Sequence, residues 1–306
     1  MLKIRLGVAP AQGSGPAEFA GLAERLEAAG VDSLWLSELV YSPEVDPMIG
    51  MAHALARTSK LKVGTGVAIL PGRHPVLVAK QLLTLAGLAP KRVLPVFGLR
   101  PARTAEHDLF PVPEGRRAAV FDESLVLLRR LLDEDDVSFE GEFFQVSGAT
   151  LGPRPAKPLD VWLGGTAPAA LARVGRLADG WLGSFHTPSE SLAARLAIQR
   201  AASEAGREIE EDHFGLSLVV ADKGLPDALT SMAARRRPGV PVTDLIATSW
   251  PEARRLVEQH IEAGLSKFVI RPGHGDFEEF LEKFQSELVP LQNQNSSWPR
   301  FPQSAT

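Results

Sequence analysis

The stretch Leu61-Lys62-Val63-Gly64-Thr65-Gly66-Val67-Ala68-Ile69-Leu70-Pro71-Gly72-Arg73-His74, running on into a helical segment over 75–88, decides how the rest of the chain reads. An apolar run of strand length over 61–70 passes straight into a helix that Arg73-His74-Pro75 opens, with no hairpin signal between them. The same unit recurs in both directions. Upstream, strands are expected at 3–10 and 33–39. The helix between them carries Phe19, Leu22, Ala23 and Leu26 at i, i+3, i+4, i+7 and stops at Gly30, and a second helix covers 47–58. Downstream come a strand at 92–98 and a long helix at 116–132 with Phe121, Leu125, Leu128 and Leu132 on one face. Further strands follow at 161–164, 180–185, 214–220 and 267–271, separated by helices at about 168–178, 189–206 and 251–264. A last helix bears Phe277, Phe280, Leu281, Phe284 and Leu288.

Eight strands alternating with roughly eight helices define a parallel α/β protein. At slightly more than the ~250 residues usual for the fold, a (β/α)8 TIM barrel is expected rather than an open doubly wound sheet. One barrel domain should span 1–291, with insertions at about 99–115, 138–155 (a hairpin turning at Glu140-Gly141-Glu142) and 222–250, and a polar tail over 292–306.

Composition removes several classes of function. The 306 residues are 44% hydrophobic and 23% charged, too apolar for a disordered chain. Lys+Arg number 33 against 37 Asp+Glu, a net charge of −4, which leaves no basic stripe for nucleic acid. There is no cysteine, so disulfides, thiolate metal sites, iron–sulfur clusters and Cys nucleophiles are excluded. No apolar run reaches membrane-spanning length and no signal peptide is legible, so a cytoplasmic protein is expected.

In a barrel the site lies at the carboxyl ends of the strands. That rule selects Ala11 and Gln12, Ser37 to Leu39, Gly66 to Ala68, Gly98 to Arg100, Gly164 to Ala167, Ser184 to His186 and Arg271 to His274. Gly164-Gly165-Thr166-Ala167-Pro168 reads either as a phosphate turn at a helix N-terminus or as a tight turn with Thr166 as N-cap. Dinucleotide and Walker fingerprints are missing. No metal site is expected, because Glu106-His107-Asp108 are adjacent and cannot converge on one ion. Arg235-Arg236-Arg237 reads as a solvated surface run, and no Lys stands at a strand's carboxyl end for Schiff-base chemistry. Redox chemistry would then require a bound organic cofactor.

Three segments together resemble the bacterial luciferase-like monooxygenase superfamily: Leu34-Trp35-Leu36-Ser37-Glu38; Thr65 to Pro75 with Val78-Ala79-Lys80-Gln81 and Thr84-Leu85; and Phe139-Glu140-Gly141-Glu142 through Leu151-Gly152-Pro153-Arg154-Pro155 and Val161-Trp162-Leu163-Gly164-Gly165 to Ala178-Asp179-Gly180-Trp181. The likeness is clear over 3–186 and is nearest to the actinobacterial branch that uses the deazaflavin coenzyme F420. It implies a barrel holding a flavin-like cofactor, with a non-prolyl cis peptide at Gly66–Val67 behind the ring. It also implies the cofactor phosphate at Leu163, Gly164, Gly165 and Thr166, the ribityl chain near Gly98 and Leu99, and Arg100 or Arg103 at an anionic tail. Glu38 would be the carboxylate near the ring, His186 and His274 candidate acids, and Tyr41 a weaker donor.

Two departures stand out. Glu38-Leu39 occupies the place of the Asp-His that deazaflavin dehydrogenases of this superfamily commonly carry, and leucine cannot donate a proton. Leu94-Pro95-Val96-Phe97-Gly98 replaces a more glycine-rich strand end. The resemblance implies an F420-dependent oxidoreductase that moves a hydride between the deazaflavin C5 and a small organic substrate, in a homodimer. An FMN-dependent monooxygenase, a non-catalytic deazaflavin- or flavin-binding protein and a redox-free phosphate-handling barrel are the alternatives.

Overall fold

The computed structural model describes residues 3–273 and 276–292. Eight parallel strands form the barrel: Arg5–Val8, Ser33–Leu36, Lys62–Thr65 continued by Ala68–Ile69, Val93–Leu94 continued by Val96–Gly98, Trp162–Gly164, Gly180–Ser184, Phe214–Val220 and Lys267–Pro272. Each pairs with its sequence neighbour, and the eighth pairs with the first through Leu6↔Phe268 and Val8↔Ile270. Strands three and four are each broken once, and both halves pair, Val63↔Val93 and Ala68↔Phe97, so the ring closes. The TIM-barrel expectation holds.

Period-two alternation sorts the side chains. Leu6, Val8, Leu34, Leu36, Val63, Leu163, Trp181, Leu216, Leu218, Phe268 and Ile270 point outward and build the main core against the helices. Ala9, Trp35, Val96, Trp162, Leu182 and Val269 fill the barrel itself. The two indoles demand room, and small residues supply it: a Cβ on Gly7 would lie 2.5 Å from the Trp35 Nε1, and one on Gly64 about 3.0 Å from its ring. Lys267 lies 5.8 and 5.2 Å from the centroids of those two rings, and burial pushes its ammonium down to about 8.

The helices begin as the sequence suggests. His74 caps the Pro75–Leu88 helix by accepting from the Val76 N–H at 3.3 Å, and Thr187 with Glu190 forms a capping box on Pro188–Glu204. Three expectations change. The first helix splits into Pro16–Phe19 and Leu22–Ala28. The 222–250 insertion contains a helix, Asp227–Arg236, and a short strand, Ile246–Ala247, that pairs with strand seven. Gln292 ends the last helix among the described residues, Val289–Gln292, and accepts from the Leu6 N–H at 3.0 Å; the rest of the expected tail lies outside the described residues. The 138–155 hairpin is present as Val137–Glu140 paired antiparallel with Gln145–Ala149. No helix among the described residues is long and apolar enough to cross a membrane.

His260, in the Trp250–Glu262 helix, is 1% exposed and its Nδ1 is buried without a partner. Burial, and secondarily the nearby His186, push its imidazole down to about 4 from an ordinary 6.5. Between those values the unfolded chain takes up a proton that the fold does not, so stability falls as pH drops through the window and is regained as pH rises. His260→Leu is expected to flatten this acid limb by about 3 kcal/mol. Urea unfolding of both proteins at about pH 7 and about pH 4 measures it, and parallel losses in the two would refute the assignment.

Candidate active site

The break in strand three is the first feature of the mouth. Partner offsets across strands three and four fall from 30 residues to 29, so strand three carries one extra residue, a bulge, at the cis Gly66–Val67 peptide. Thr65 repairs the ladder: its Oγ1 donates to the Val96 carbonyl at 2.6 Å and accepts the Val96 N–H at 2.8 Å. The end of strand two holds the bulge itself. Gly66 N–H donates to Leu36 O at 2.7 Å, Ser37 Oγ donates to Gly66 O at 3.0 Å, and Glu38 N–H donates to Val67 O at 3.2 Å.

Glu38 was expected as the catalytic carboxylate, and the structure uses it otherwise. Its Oε2 accepts the Ile69 N–H at 2.7 Å, its Oε1 pairs with Arg73, and the side chain is only 3% exposed. Burial pushes this carboxyl up, while the Ile69 N–H and the Arg73 guanidinium pull it down. With both oxygens engaged it braces the far side of the bulge. Arg73, read from sequence as helix-opening, therefore has a second task.

Val67 projects from the bulge between two glycines. A Cβ on Gly98 would stand 2.6 Å from Val67 Cγ2, and one on Gly164 would stand 3.0 Å from Cγ1. The ends of strands three, four and five thus form a shallow face with one small apolar side chain. Leu99 is half-buried and packs against the outer core; Leu163 points outward, so only its backbone borders this face. At Gly165 φ is +125°, and its carbonyl accepts from Trp181 Nε1 at 2.9 Å. Ala167, not Thr166, is the N-cap of Pro168–Leu177, no side chain caps that helix, and its first turn carries no acid. Thr166 and Ala167 are exposed. Pro168 brings no N–H to the first turn and the Ala170 N–H donates to Ala167 O at 2.8 Å, so the Ala169 N–H is the first-turn donor left without a bond, beside the glycine face.

The opposite half of the mouth is polar. Alternation from the inward Leu182 and Val269, and from the outward Leu216 and Leu218, turns Ser184, Ser217 and Arg271 inward, and all three are part-exposed. Arg271 donates to Pro10 O at 3.1 Å and to Ser37 Oγ at 2.9 Å, joining strands eight, one and two. Burial holds its guanidinium below the ordinary value, opposed by Glu44.

His186 does not join this group. It is buried on the helix side of strand six, edge-on to the outward Trp181 ring at 5.2 Å, with Nδ1 3.0 Å from Ser184 O, and burial pushes its pKa down. His274 lies outside the described residues. Tyr41 is exposed, and its backbone is gripped by the 99–115 insertion: its N–H donates to Glu106 at 2.9 Å and its carbonyl accepts from Arg103 at 2.6 Å. The arginine run at 235–237 is not simply solvated, because Arg237 donates to Phe185 O and pairs with Glu190. Among the described residues, the one group of potential metal donors is Glu210, Asp212 and His213, at the amino end of strand seven, away from the mouth. Sequence reasoning named Ser37 and Arg271 as positions only. Their inward parity and shared hydrogen bond were not legible without strand register.

The mouth of this closed parallel barrel thus carries a bulged third strand, a glycine face and a helix N-terminus that no side chain caps. Residues 1–237 match the family of luciferase-like monooxygenases, and the chain belongs to it. An F420-dependent glucose-6-phosphate dehydrogenase of Nakamurella multipartita is 33% identical over 227 residues, which are 68% of this chain and 65% of that protein, just under two thirds of its length. A protein of the same description from Kineococcus radiotolerans is 27% identical and covers 94% of this chain and 97% of its own. Among solved structures, an F420-dependent secondary alcohol dehydrogenase in complex with an F420-acetone adduct superposes with a TM-score of 0.80 at 19% identity, over 94% of this chain and 98% of that one.

Two outcomes are expected from these contacts. Gly98→Ala should destabilise the protein by about 1–3 kcal/mol through overpacking against Val67. Adding Val67→Ala should recover part of that loss, a coupling that a denaturant double-mutant cycle reads and that strict additivity would exclude. Glu38→Ala should cost about 3–5 kcal/mol, because it leaves Arg73 unpaired; a loss under about 1 kcal/mol would show that the pair does not hold the bulge.

Proposed function

We propose that this chain is an F420-dependent oxidoreductase acting on a small organic molecule. The observation that carries the reading is the pairing of a side-chain-poor face at Gly66, Val67, Gly98 and Gly164 with the open helix N-terminus beyond Gly165. A planar tricyclic ring can lie against the first, where the Val67 methyls stand over the two glycines. The second presents the unbonded Ala169 N–H and a positive dipole end to a phosphate. When bound, the deazaflavin supplies hydride exchange at C5.

The chain's own residues divide the remaining work. The Glu38–Arg73 brace fixes the bulge and hence the height of the face. Ser184, Ser217 and the Arg271–Ser37 pair line the other half and offer hydroxyl and guanidinium donors to a polar substrate. Leu39 supplies no proton, so the acid must be solvent or another mouth group. The related dehydrogenases named above support a deazaflavin; the same face and turn would also accept FMN, which is why the cofactor is the point to test. A second copy of the chain is the proposed partner, for which exposed Ile49 and Leu77 on neighbouring helices offer apolar surface.

Ala167→Asp separates binding from folding. An Asp at this N-cap should stabilise the helix by about 1 kcal/mol while placing a carboxylate where the phosphate would sit. Melting temperature should hold or rise while F420 affinity, read by fluorescence titration, falls at least about tenfold. Unchanged affinity would contradict the phosphate assignment, and FMN binding without F420 binding would contradict the cofactor.

A further inference from the structure

Lys267 opens strand eight at the amino end of the barrel, opposite the mouth. It shares its inward parity with Val269 and Arg271, so its side chain enters the barrel floor. There Nζ lies 5.8 Å from the centroid of the Trp35 ring and 5.2 Å from that of Trp162. The residue is 7% exposed, and among the described residues Nζ has neither a hydrogen bond nor an ion pair. An apolar side chain of the same length would fill this space without the cost of burying an unpaired cation.

Four charged groups act on the amine. Arg5, its register partner on strand one, and Lys62, at the start of strand three, both lie on Asp32, at 3.7 and 2.6 Å. Two cations on one carboxylate leave one positive charge over. Asp212 stands on the solvent side, 42% exposed beside His213. Burial above all holds the amine down at about 8 against an ordinary 10.5; Lys62 and Arg5 add to this, and Asp32 and Asp212 oppose it. At about pH 8, roughly half of Lys267 is therefore the neutral amine, against under about 1% of an ordinary lysine. Its lone pair is engaged by no donor among the described residues, and Nζ is not wholly sealed from water. The floor thus holds a nucleophile that a small molecule can reach.

We propose that Lys267 is a modification site that takes carbon dioxide as a carbamate. The Nζ lone pair bonds to the carbon, one C–O π pair moves onto oxygen, and Nζ loses a proton to solvent. Nothing is oxidised or reduced. Two features select this electrophile. It is linear, uncharged and three atoms long, which suits a nearly closed floor between two indoles. Its adduct is an anion, which balances the charge that Arg5 and Lys62 leave over. The site lies at the opposite end of the barrel from the glycine face and does not depend on the cofactor reading.

The test equilibrates full-length wild type, Lys267→Met and Lys62→Met with isotopically labelled bicarbonate at about pH 8. Carbon NMR of each protein reads carbamate directly. Surface amines contribute equally to all three and subtract. A carbamate resonance is expected in wild type, absent from Lys267→Met and weakened several-fold in Lys62→Met, which lacks part of the counter-charge. Trapping with triethyloxonium and peptide mass spectrometry should then place label on Lys267 at least about tenfold above the exposed Lys223. Wild-type and Lys267→Met spectra that coincide overturn the proposal, and so does equal label on the two lysines.

Discussion

The mouth of this barrel depends on how one extra residue in strand three is held. The Gly66–Val67 bulge has both of its carbonyls bonded from the end of strand two, by Ser37 and by the Glu38 N–H, and the Ile69 N–H two residues on is bonded by the Glu38 carboxylate. Arg73 completes the brace from the following loop. Without those bonds the bulge would leave buried backbone groups unpaired, at a cost of about 1–3 kcal/mol each. With them, Val67 is fixed between Gly98 and Gly164, and three neighbouring strands end in one nearly flat surface.

That constraint explains the unequal halves of the mouth. Strands four and five cannot carry side chains on their last inward positions, because the Val67 methyls of strand three already fill the space. Polar function is displaced to strands six, seven, eight and two, where Ser184, Ser217, Arg271 and Ser37 project. Arg271 also reaches the bulge through Ser37, so the polar half and the flat half are mechanically joined by two hydrogen bonds. The proposed hydride exchange would use this division, with an organic ring against one half and a polar substrate against the other.

Much of the fold was legible in sequence because its signals are local. Strand runs, prolines at helix starts and the glycine pair after strand five each act over a few residues. The Gly66–Val67 cis peptide was likewise placed, through family resemblance. The site was less legible because its chemistry depends on which way a side chain faces and what it meets across the sheet. Glu38 stands one residue beyond Ser37, so period two turns it away from the mouth toward Ile69 and Arg73. His186 follows a positive-φ residue, Phe185, and ends on the helix side against Trp181. Thr166 was a plausible cap by residue type, but the helix starts one residue later.

The central claim is that the flat face and the open helix N-terminus together hold a deazaflavin. The most direct measurement is mass spectrometry of the chromophore that co-purifies with the protein from a host that makes both F420 and FMN. Recovery of the deazaflavin F420 is the expected result; recovery of FMN in its place would contradict it.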